Sequence, residues 1–562
     1  MSVRAPVLTL VTGALPAGRD AALAWAQARL ARRAGRAVAR VHRSAAAVLA
    51  GRHEDARQAA RLGWCREHGL PVLRRPTGGA ALHVEPGQLL WTLALPDDGR
   101  PLTVWLARAA EALAAAAGAA LGLPLVPAAP NDLLLEGRKA GCVMAGELAG
   151  VLVLQGTFLL APDIGAQLRA LRVPREKLNP EGLRTARDRF AALAPAAGLA
   201  LAAALARLRA RLPEALAGLA GATAAPLAPA ALAALAPRRA PVAPEGPRRP
   251  AAASATLAAP AGVLRCRLEA DGSGHVRAAW IGGEAMLRPG TLLHGLARAL
   301  RGAPLAAAPA RARALLARRP WDGSGLGTED LARLLEQAAA KAFAGLRLGL
   351  GPEEAAALDL AGPGARDPLA VLGRAGAILV PYCAKPLWCR WRVREGCPDC
   401  GRCEVGAVYR LGRACGIPVI TICSFEHLQA TFRRLRAEGV EAYVGLCCGE
   451  FRLKRAEAFA ASGLAGLLVD IAGANCYALG REEAAYAGAF RAQARLRGPL
   501  TRRVLAALGP GAPQAPPARD GSSAASARAA PASSSRPPRR APKAARRRVA
   551  GDQSRASRRF LR

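Results

Sequence analysis

A basic, glycine-containing loop is the first segment whose residue types could do chemistry. It reads LRRPTGGAALHVEPGQL over residues 73–89, with Arg74 and Arg75 shortly before Thr77-Gly78-Gly79. Glycines let the backbone approach a ligand closely and present its N–H groups to an anion. Arginine matches the geometry of phosphate and carboxylate with two parallel hydrogen bonds. The loop therefore predicts an anion-binding site, although a tight turn between two strands would contain the same glycines.

A second polar cluster follows downstream. Asn131 and Asp132 begin a predicted strand, and Lys139 comes just after it. A lysine beside a turn can neutralise a phosphate and polarise an acyl carbonyl, and a nearby carboxylate can hold the Mg²⁺ that accompanies ATP. The cluster predicts the nucleotide and metal end of a site. A polar hairpin turn with a surface lysine is the alternative interpretation.

Further motifs lie before and after the basic loop and the cluster of Asn131, Asp132 and Lys139 in the chain. They are Gly51-Arg52, Leu154-Gln155-Gly156-Thr157-Phe158-Leu159-Leu160, and the stretch Leu171–Leu193, which contains Val173-Pro174-Arg175-Glu176-Lys177-Leu178 and Arg184–Arg189. Together the motifs resemble the lipoate–protein ligase branch of the biotin/lipoate ligase superfamily. The resemblance covers about residues 5–222 and continues into 260–345, which is similar to the family's small accessory domain.

The resemblance implies a two-step enzyme. ATP with Mg²⁺ would activate lipoate, or octanoate, as an acyl-adenylate, and a lysine of an acceptor protein carrying a lipoyl domain would then attack it. Lys139 matches the family's essential lysine, which contacts the acyl carbonyl and the phosphate. The positions that match the family's substrate- and adenylate-binding residues are Arg74, Arg75, Thr77, Gly78, Gly79, Asn131, Asp132, Gly156 and Thr157.

The chain departs from the family pattern inside these motifs. Ala80 replaces a third glycine, and its methyl group would narrow the pocket. Further departures lie at Leu82-His83-Val84, Gly87-Gln88-Leu89 and Ala140-Gly141-Cys142. They put the identity of the substrate in doubt, and they leave open a degenerate domain without activity.

Cys142 supports a second enzymatic interpretation. Acyl transferases of the same superfamily carry octanoate as a thioester on a cysteine, and the charge of nearby Lys139 would lower the pKa of this thiol. An isolated cysteine is, however, more often a small buried hydrophobic residue. A third interpretation, from another class of protein, is a redox or metal sensor whose ligase-like half only recognises lipoylated proteins.

Ten of the thirteen cysteines lie between residues 383 and 476. Residues 380–406 space five of them as C-x5-C-x7-C-x-x-C-x-x-C, and C-x-x-C turns converge two sulfurs on a metal. In a reducing compartment this crowding predicts metal or redox chemistry rather than disulfides. Zinc and an iron–sulfur cluster both fit the spacing, the cluster slightly better. The predicted metal ligands are Cys383, Cys389, Cys397, Cys400, Cys403, Cys447 and Cys448.

The later cysteines follow predicted strands. Cys423, Cys447-Cys448 and Cys476 each come after an apolar run, and the carboxyl ends of parallel strands meet at one edge of a sheet. We expect these cysteines at that edge; small core residues are the alternative for Cys423 and Cys476. With Pro381-Tyr382-Cys383 and the run 396–403, this part resembles a prokaryotic domain of unknown function (number 116). The fusion suggests that it senses redox state or holds sulfur in lipoate metabolism.

Composition and hydrophobic pattern divide the chain into regions. We predict an α/β, mixed-sheet catalytic domain at 1–222, an Ala/Pro-rich linker at 223–259, a small α+β accessory domain at 260–345, a parallel α/β cysteine-rich domain at 350–497 and a disordered basic tail at 510–562. The predicted strands are Val7–Val11, Gly87–Leu95, Leu133–Glu136, Val151–Leu160, Val263–Leu268, Val276–Trp280, Ala377–Pro381, Pro418–Ile422, Ala442–Leu446 and Gly466–Ile471. A helix is predicted over Glu329–Phe343, with Thr328 as its N-cap.

The formal net charge is +38, which would attract nucleic acid, an anionic membrane or an acidic protein. Much of it lies in the tail, which lacks interleaved aromatic residues, and codon bias alone would enrich arginine. We therefore expect neither a nucleic-acid nor a membrane partner. The apolar stretches Ala107–Leu121 and Ala196–Ala222 carry Glu or Arg and fit buried or amphipathic helices. Without a recognisable leader, the expected location is the cytoplasm.

Overall fold

The computed structural model describes residues 5–172, 189–237, 241–243, 253–259, 262–476, 479, 481, 484–485 and 489–508. The motif Val173–Leu178, most of Arg184–Arg189 and the basic tail at 510–562 lie outside the described residues. The predictions made for them therefore stay predictions.

The first region alternates strands and helices. Its strands are β1 (Val7–Leu15), β2 (Val38–Ser44), β3 (Ala47–Ala50), β4 (Val72–Arg74), β5 (Leu82–Val84), β6 (Gln88–Pro96), β7 (Leu125–Ala128), β8 (Asp132–Leu135), β9 (Arg138–Leu148), β10 (Val151–Leu159) and β11 (Ala224–Pro226). Its helices are α1 (Ala17–Ala34), α2 (Ala56–Ala59), α3 (Leu62–Glu67), α4 (Leu102–Leu121), α5 (Ile164–Ala170), α6 (Leu193–Ala196), α7 (Leu201–Leu219) and α8 (Pro229–Ala233).

Eight of these strands form one mixed sheet in the order β11-β1-β2-β6-β10-β9-β8-β7. β1 is parallel to both β11 and β2, and the pairs from β2 to β7 are antiparallel. This confirms the predicted mixed α/β sheet. A smaller sheet, β4-β3-β5, holds both ends of the basic loop, because β4 ends at Arg74 and β5 starts at Leu82.

Helices α4 and α7 supply most of the core on one face of the large sheet. Leu106 and Leu113 of α4 and Leu208 and Leu212 of α7 are buried there, at the seven- and four-residue spacings that place side chains on one helix face. Among the described helices, α4 alone is long and apolar enough to cross a membrane by length and composition. Its buried side chains pack in this core.

The segment predicted as a linker is folded where it is described. β11 adds to the edge of the large sheet beside β1, and Leu232 of α8 is buried against α1. Residues 253–259 form a strand. The linker prediction is therefore wrong for these parts, because the Ala/Pro composition hides short elements that pack on their neighbours.

The second region is an antiparallel sheet of three strands covered by helices. Its elements are β12 (Ala253–Ala259), β13 (Gly262–Ala270), β14 (Val276–Gly283), β15 (Leu287–Arg288), β16 (Asp322–Gly323), α9 (Leu292–Ala299), α10 (Ala308–Ala317) and α11 (Thr328–Arg347). The predicted hairpin is present as β13–β14. The N-cap of α11 is Gly327, not Thr328, because the Asp330 carboxylate accepts the Gly327 N–H (2.9 Å) and closes the first turn.

The cysteine-rich region has a five-stranded sheet in the order β17-β21-β20-β18-β19. Its strands are β17 (Leu358–Ala361), β18 (Ala375–Pro381), β19 (Val419–Ile422), β20 (Ala442–Cys447) and β21 (Ala465–Asp470), followed by the short pair β22 (Ala472–Gly473) and β23 (Ala494–Arg495). Its helices are α12 (Pro352–Ala356), α13 (Pro368–Leu372), α14 (Glu404–Ala414), α15 (Phe425–Ala437), α16 (Gly449–Lys454), α17 (Ala456–Ala461) and α18 (Gly498–Ala506).

Four strands of this sheet are parallel, and β17 pairs antiparallel with β21. The prediction of an all-parallel sheet is therefore wrong at one edge. The sequence pattern missed β17 because its four residues, of which only Leu358 and Ala361 are buried, are too short and too polar to stand out. The parallel strands still bring their carboxyl ends to one edge.

Candidate functional site

The two arginines of the basic loop bind backbone carbonyls of the protein itself. The buried Arg75 guanidinium donates to the carbonyls of Leu49 (2.6 Å), Gly78 (2.7 Å) and Ala80 (2.7 Å). Arg74 donates to the carbonyls of Arg52 and Glu54. Backbone carbonyls therefore take most of their N–H groups, where sequence analysis predicted contact with an anion; Arg74 Nε is buried without a partner among the described residues. Both arginines fix the shape of the loop.

The glycines of the loop are required by close packing. A Cβ atom at Gly78 would lie 2.0 Å from the carbonyl oxygen of Ala285, so only glycine fits. Gly79 has φ +86°, in the left-handed region, and its N–H donates to the Glu284 carbonyl (3.1 Å). The loop is therefore held against residues 284–286 of the second region.

A cavity of about 330 Å³ opens beside this loop. Five of the predicted site residues line it: Gly79, Asn131, Asp132, Lys139 and Thr157. The other predicted residues do not line it: Arg74, Arg75, Thr77, Gly78 and Gly156. At Gly156 a Cβ atom would lie 2.1 Å from the Cys142 carbonyl and 2.5 Å from the Trp91 ring, so packing explains this glycine without a ligand.

Lys139 and Asp132 form an ion pair in the cavity wall. The β8–β9 hairpin, with positive φ at Glu136 and Gly137, places Lys139 Nζ 2.6 Å from Asp132 Oδ1. Burial opposes the charge of Lys139, but Asp132 outweighs it and raises the lysine pKa above its ordinary value. About one third of each side chain remains exposed, so both can reach a ligand.

Cys142 also lines this cavity, but its environment does not activate it. The residue is 1% exposed, and burial raises the pKa of its thiol despite the nearby positive charge of Lys139. The prediction that Lys139 lowers this pKa enough for a nucleophile is therefore not supported, because loss of hydration is the larger effect.

A buried polar chain runs from the loop to α1, and sequence analysis missed it. Arg75 Nε donates to Thr77 Oγ1 (3.2 Å), whose hydroxyl donates to Gln155 Oε1 (2.9 Å). Gln155 Nε2 donates in turn to Thr92 Oγ1 (3.2 Å), which lies 3.3 Å from His42 Nε2. The Thr77 hydroxyl accepts one hydrogen bond and donates one, so this part of the chain has a single direction.

The chain ends in a buried cluster of charge. His42 Nδ1 and Arg40 Nη1 lie 2.8 and 2.7 Å from Asp20 Oδ1. Burial alone would raise the pKa of Asp20, but Arg40 and then His42 outweigh it and lower it to about 2. Burial and Arg40 lower the pKa of His42, so its imidazole is neutral. The available sequence signal was polar Arg40 and His42, which alternate with the apolar residues Ala39 and Val41 of β2.

Four cavity residues come from the second region and were also missed: Ala259, Gly262, Glu284 and Met286. The Glu284 carboxylate accepts the Val263 N–H (2.8 Å). Their position in the chain carries no local motif. Only the packing of the β13–β14 hairpin on the loop brings them to the site.

The predicted metal ligands fall into different places. Cys383, Cys447 and Cys448 line an apolar cavity of about 110 Å³ together with Cys423 and Cys476, whereas Cys389, Cys397, Cys400 and Cys403 do not. In the described part of the chain, no group of three or more His, Cys, Asp or Glu side chains is arranged to hold a metal ion. The predicted seven-cysteine site is therefore not preassembled around a single ion.

Residues 20–212 match a protein family described as the lipoyl protein ligase A/B catalytic domain. A lipoate-protein ligase of Bacillus subtilis is 24% identical over 26% of this chain and 43% of its own length. A lipoate–protein ligase of Streptococcus pyogenes is 32% identical over 22% of this chain and 37% of its own length. A bipartite lipoate protein ligase of Thermoplasma acidophilum, with 20% identity, aligns structurally over 41% of this chain and 91% of its own, with a TM-score of 0.34.

Residues 20–212 are thus similar to the lipoyl protein ligase catalytic domain, and part of the chain is similar to two lipoate–protein ligases. The chain spans less than half the length of the two curated relatives it matches. The family match ends at residue 212, so the resemblance of residues 350–497 to the domain of unknown function stays a prediction.

Proposed function

We propose that the protein is an ATP-dependent lipoate–protein ligase. It activates lipoate as lipoyl-AMP, releases pyrophosphate, and transfers the lipoyl group to a lysine of an acceptor protein carrying a lipoyl domain. The observation that carries the proposal is the Lys139–Asp132 pair (2.6 Å) in the wall of a cavity. The pair lies within the residues that match the ligase catalytic domain.

The chain's own residues have distinct tasks in this reaction. Lys139 keeps its proton and stabilises negative charge on the acyl carbonyl and the adenylate phosphate as the carboxylate attacks and pyrophosphate leaves. Gly79 lets the backbone come close to the adenylate. Asn131 and Asp132 offer the oxygen ligands that Mg²⁺ takes beside nucleotide phosphates. The mixed anhydride is already reactive, so the second step mainly requires positioning of the acceptor amine.

Acceptor labelling tests the proposal directly. The purified full-length protein is incubated with lipoate, Mg-ATP and a lipoyl domain, and the acceptor is read by intact mass beside the Lys139→Ala variant. A lipoyl mass increase that needs both ATP and Lys139 is expected. Parallel reactions with octanoate decide between the two acyl groups.

The same assay separates the two rival interpretations. Transfer from an acylated donor without ATP, abolished by Cys142→Ala, would point to an acyl transferase. No labelling of several acceptors by a folded protein would instead favour a sensor with an inactive ligase-like half.

We also propose that the cysteine-rich region binds a metal, as zinc or as an iron–sulfur cluster, in the cytoplasm. The C-x-x-C-x-x-C spacing of Cys397, Cys400 and Cys403 supports this proposal. Metal analysis of protein purified without oxygen tests it, and a preparation free of zinc and iron would contradict it.

A further inference from the structure

The cysteine-rich sheet has a partly open, largely apolar cavity of about 110 Å³. It lies at the carboxyl ends of β18, β19 and β20, and aromatic side chains such as Phe425 and Phe451 form much of its wall. Protein interiors contain few voids larger than a water molecule, and water does not fill apolar cavities readily. A space of this size therefore suits a non-aqueous ligand.

Five thiols meet at this cavity from separate segments of the chain. Cys383 follows β18, Cys423 follows β19, Cys447 ends β20 with Cys448 after it, and Cys476 follows β22. The carboxyl edge of a parallel sheet is the usual place for a ligand. Several sulfur donors around one apolar space match the ligand set of a thiolate-bound cofactor.

A buried hydroxyl group points to an occupant independently of the thiols. Tyr443 is 0% exposed and lines the cavity, and its hydroxyl has no hydrogen-bond partner within the described ranges. A buried polar group without a partner is rare and costs about 1–3 kcal/mol. A sulfur acceptor inside the cavity would satisfy it.

Two buried cations next to the cavity also lack a counter-charge. Lys385 and Arg392 are 1% and 7% exposed. Lys385 Nζ donates to the carbonyls of Trp391, Arg394 and Gly396 (2.7–2.9 Å), and Arg392 donates to those of Ala492 (2.7 Å) and Cys383 (3.4 Å). Neither forms an ion pair with a carboxylate among the described residues. Arg392 also donates to the carbonyls of Lys385 and Phe490, so both cations supply positive charge near the cavity and not free N–H donors.

Zinc and an iron–sulfur cubane require different arrangements of their cysteine sulfurs. Zinc binds sulfur at about 2.3 Å in a tetrahedron, which brings four sulfurs within about 3.8 Å of one another. The described side chains contain no group gathered in this way. In an iron–sulfur cubane each cysteine binds a different iron, so the sulfurs stand around a space instead of a point.

We propose that this cavity binds an iron–sulfur cluster of the [4Fe–4S] type through Cys383, Cys423, Cys447 and Cys476. The four thiolates give the bound cluster a net negative charge that Lys385 and Arg392 offset, and Tyr443 donates to one of its sulfurs. This ligand set differs from the C-x-x-C-x-x-C run and includes two cysteines outside the predicted ligands. The proposal deepens the metal-binding part of the proposed function and does not depend on ligase activity.

Iron and acid-labile sulfide analysis of the full-length protein, purified without oxygen, tests the site. Cys423→Ser and Cys476→Ser should each lose about four iron and four sulfide atoms per chain relative to the unmodified protein. Cys415→Ser is the matched control, because Cys415 does not line the cavity, and it should lose none. Mössbauer spectra of the unmodified protein should contain a cubane signal that the two variants lack.

Three results would overturn the proposal. They are zinc without labile sulfide in the unmodified protein, no bound metal at all, or full iron content in folded Cys423→Ser and Cys476→Ser proteins. The first two results are measured on the unmodified protein, so they can contradict the proposal even if the variants misfold. Lys139→Ala should keep its cluster, which separates this proposal from the ligase activity.

Discussion

Lys139 Nζ lies 2.6 Å from Asp132 Oδ1, across the β8–β9 hairpin and in the wall of the ligase cavity. The two residues hold opposite charges at a site that needs a fixed positive charge. Asp132 keeps the lysine protonated, and the partial exposure of both side chains leaves the ammonium group available to a substrate. The relationship links the geometry of a tight turn to the chemistry proposed for the site.

Lys139→Ala should lower the rate of lipoyl transfer at least about 100-fold, because it removes the charge that stabilises the developing negative oxygen. The measurement is the initial rate of acceptor labelling by intact mass. Arg138→Ala is the control, since that neighbouring side chain is exposed and pairs only with Glu136 in the described structure. A rate in Lys139→Ala equal to that of the control would contradict the role.

The Lys139–Asp132 ion pair predicts how the transfer rate falls at high pH. The raised pKa of Lys139 means that its favourable charge is fully present below its ordinary pKa of 10.5 and is lost only as pH rises through the higher folded value. Transfer rates should therefore show no loss from lysine deprotonation up to pH 10. In Asp132→Asn this fall should move to lower pH. A fall at an unchanged pH in that variant would show that Asp132 does not set the lysine charge.

Cys142→Ala should retain most of the ATP-dependent activity. The thiol is buried and its pKa is raised, so it is not ionised at neutral pH. The assay is acceptor labelling, with Cys65→Ala as a control for the loss of another buried thiol. Complete loss of activity in Cys142→Ala alone, with the protein still folded, would revive the thioester interpretation.

Gly78→Ala should disrupt the loop, because the added Cβ would lie 2.0 Å from the Ala285 carbonyl oxygen. Moving the loop away from residues 284–286 breaks the hydrogen bond from the Gly79 N–H to the Glu284 carbonyl and opens the cavity wall. The transfer rate and the melting temperature should both fall. Gly63→Ala is the matched control, since an added Cβ there meets no atom within 4 Å. Equal behaviour of the two variants would contradict the packing role.

Asp20→Ala should lower the free energy of unfolding by about 3–5 kcal/mol at pH 7, because it leaves Arg40 buried without its partner. The Asp20 pKa of about 2 is below its ordinary value of 3.8, so its stabilisation is present above pH 3.8 and is lost as pH falls toward 2. Urea unfolding at pH 7 and at pH 3 should show the difference from the unmodified protein shrinking at the lower pH.

The control for that measurement is Glu441→Ala, which breaks an exposed pair with Arg374 and should cost no more than about 1 kcal/mol. The loss in free energy of unfolding caused by Asp20→Ala could equal that of the control, or could be the same at pH 7 and pH 3. Either result would show that the buried cluster is not charged as described.

The elements of the site were predictable from the sequence where the signal was local. Apolar runs fixed β6, β8 and β10 to within a few residues, and the order of motifs placed Lys139 and Asp132 together. The roles of Arg74 and Arg75 were not predictable, because an arginine that binds phosphate and one that binds backbone carbonyls look alike in a sequence. Only the contacts of Arg75 with Leu49, Gly78 and Ala80, and those of Arg74 with Arg52 and Glu54, distinguish them.

The sequence by itself determined the ligase-like motifs, the alternation of strands and helices, and the convergence of cysteines on one edge of a parallel sheet. These follow from residue type and short-range periodicity. Tertiary structure alone decided that Glu284 closes the cavity, that His42 joins Asp20 to the loop, and that Cys423 and Cys476 share a cavity with Cys383. Each of these contacts joins residues far apart in the chain. The distances between these residues depend on how whole helices and strands pack together. A local sequence pattern does not predict this packing.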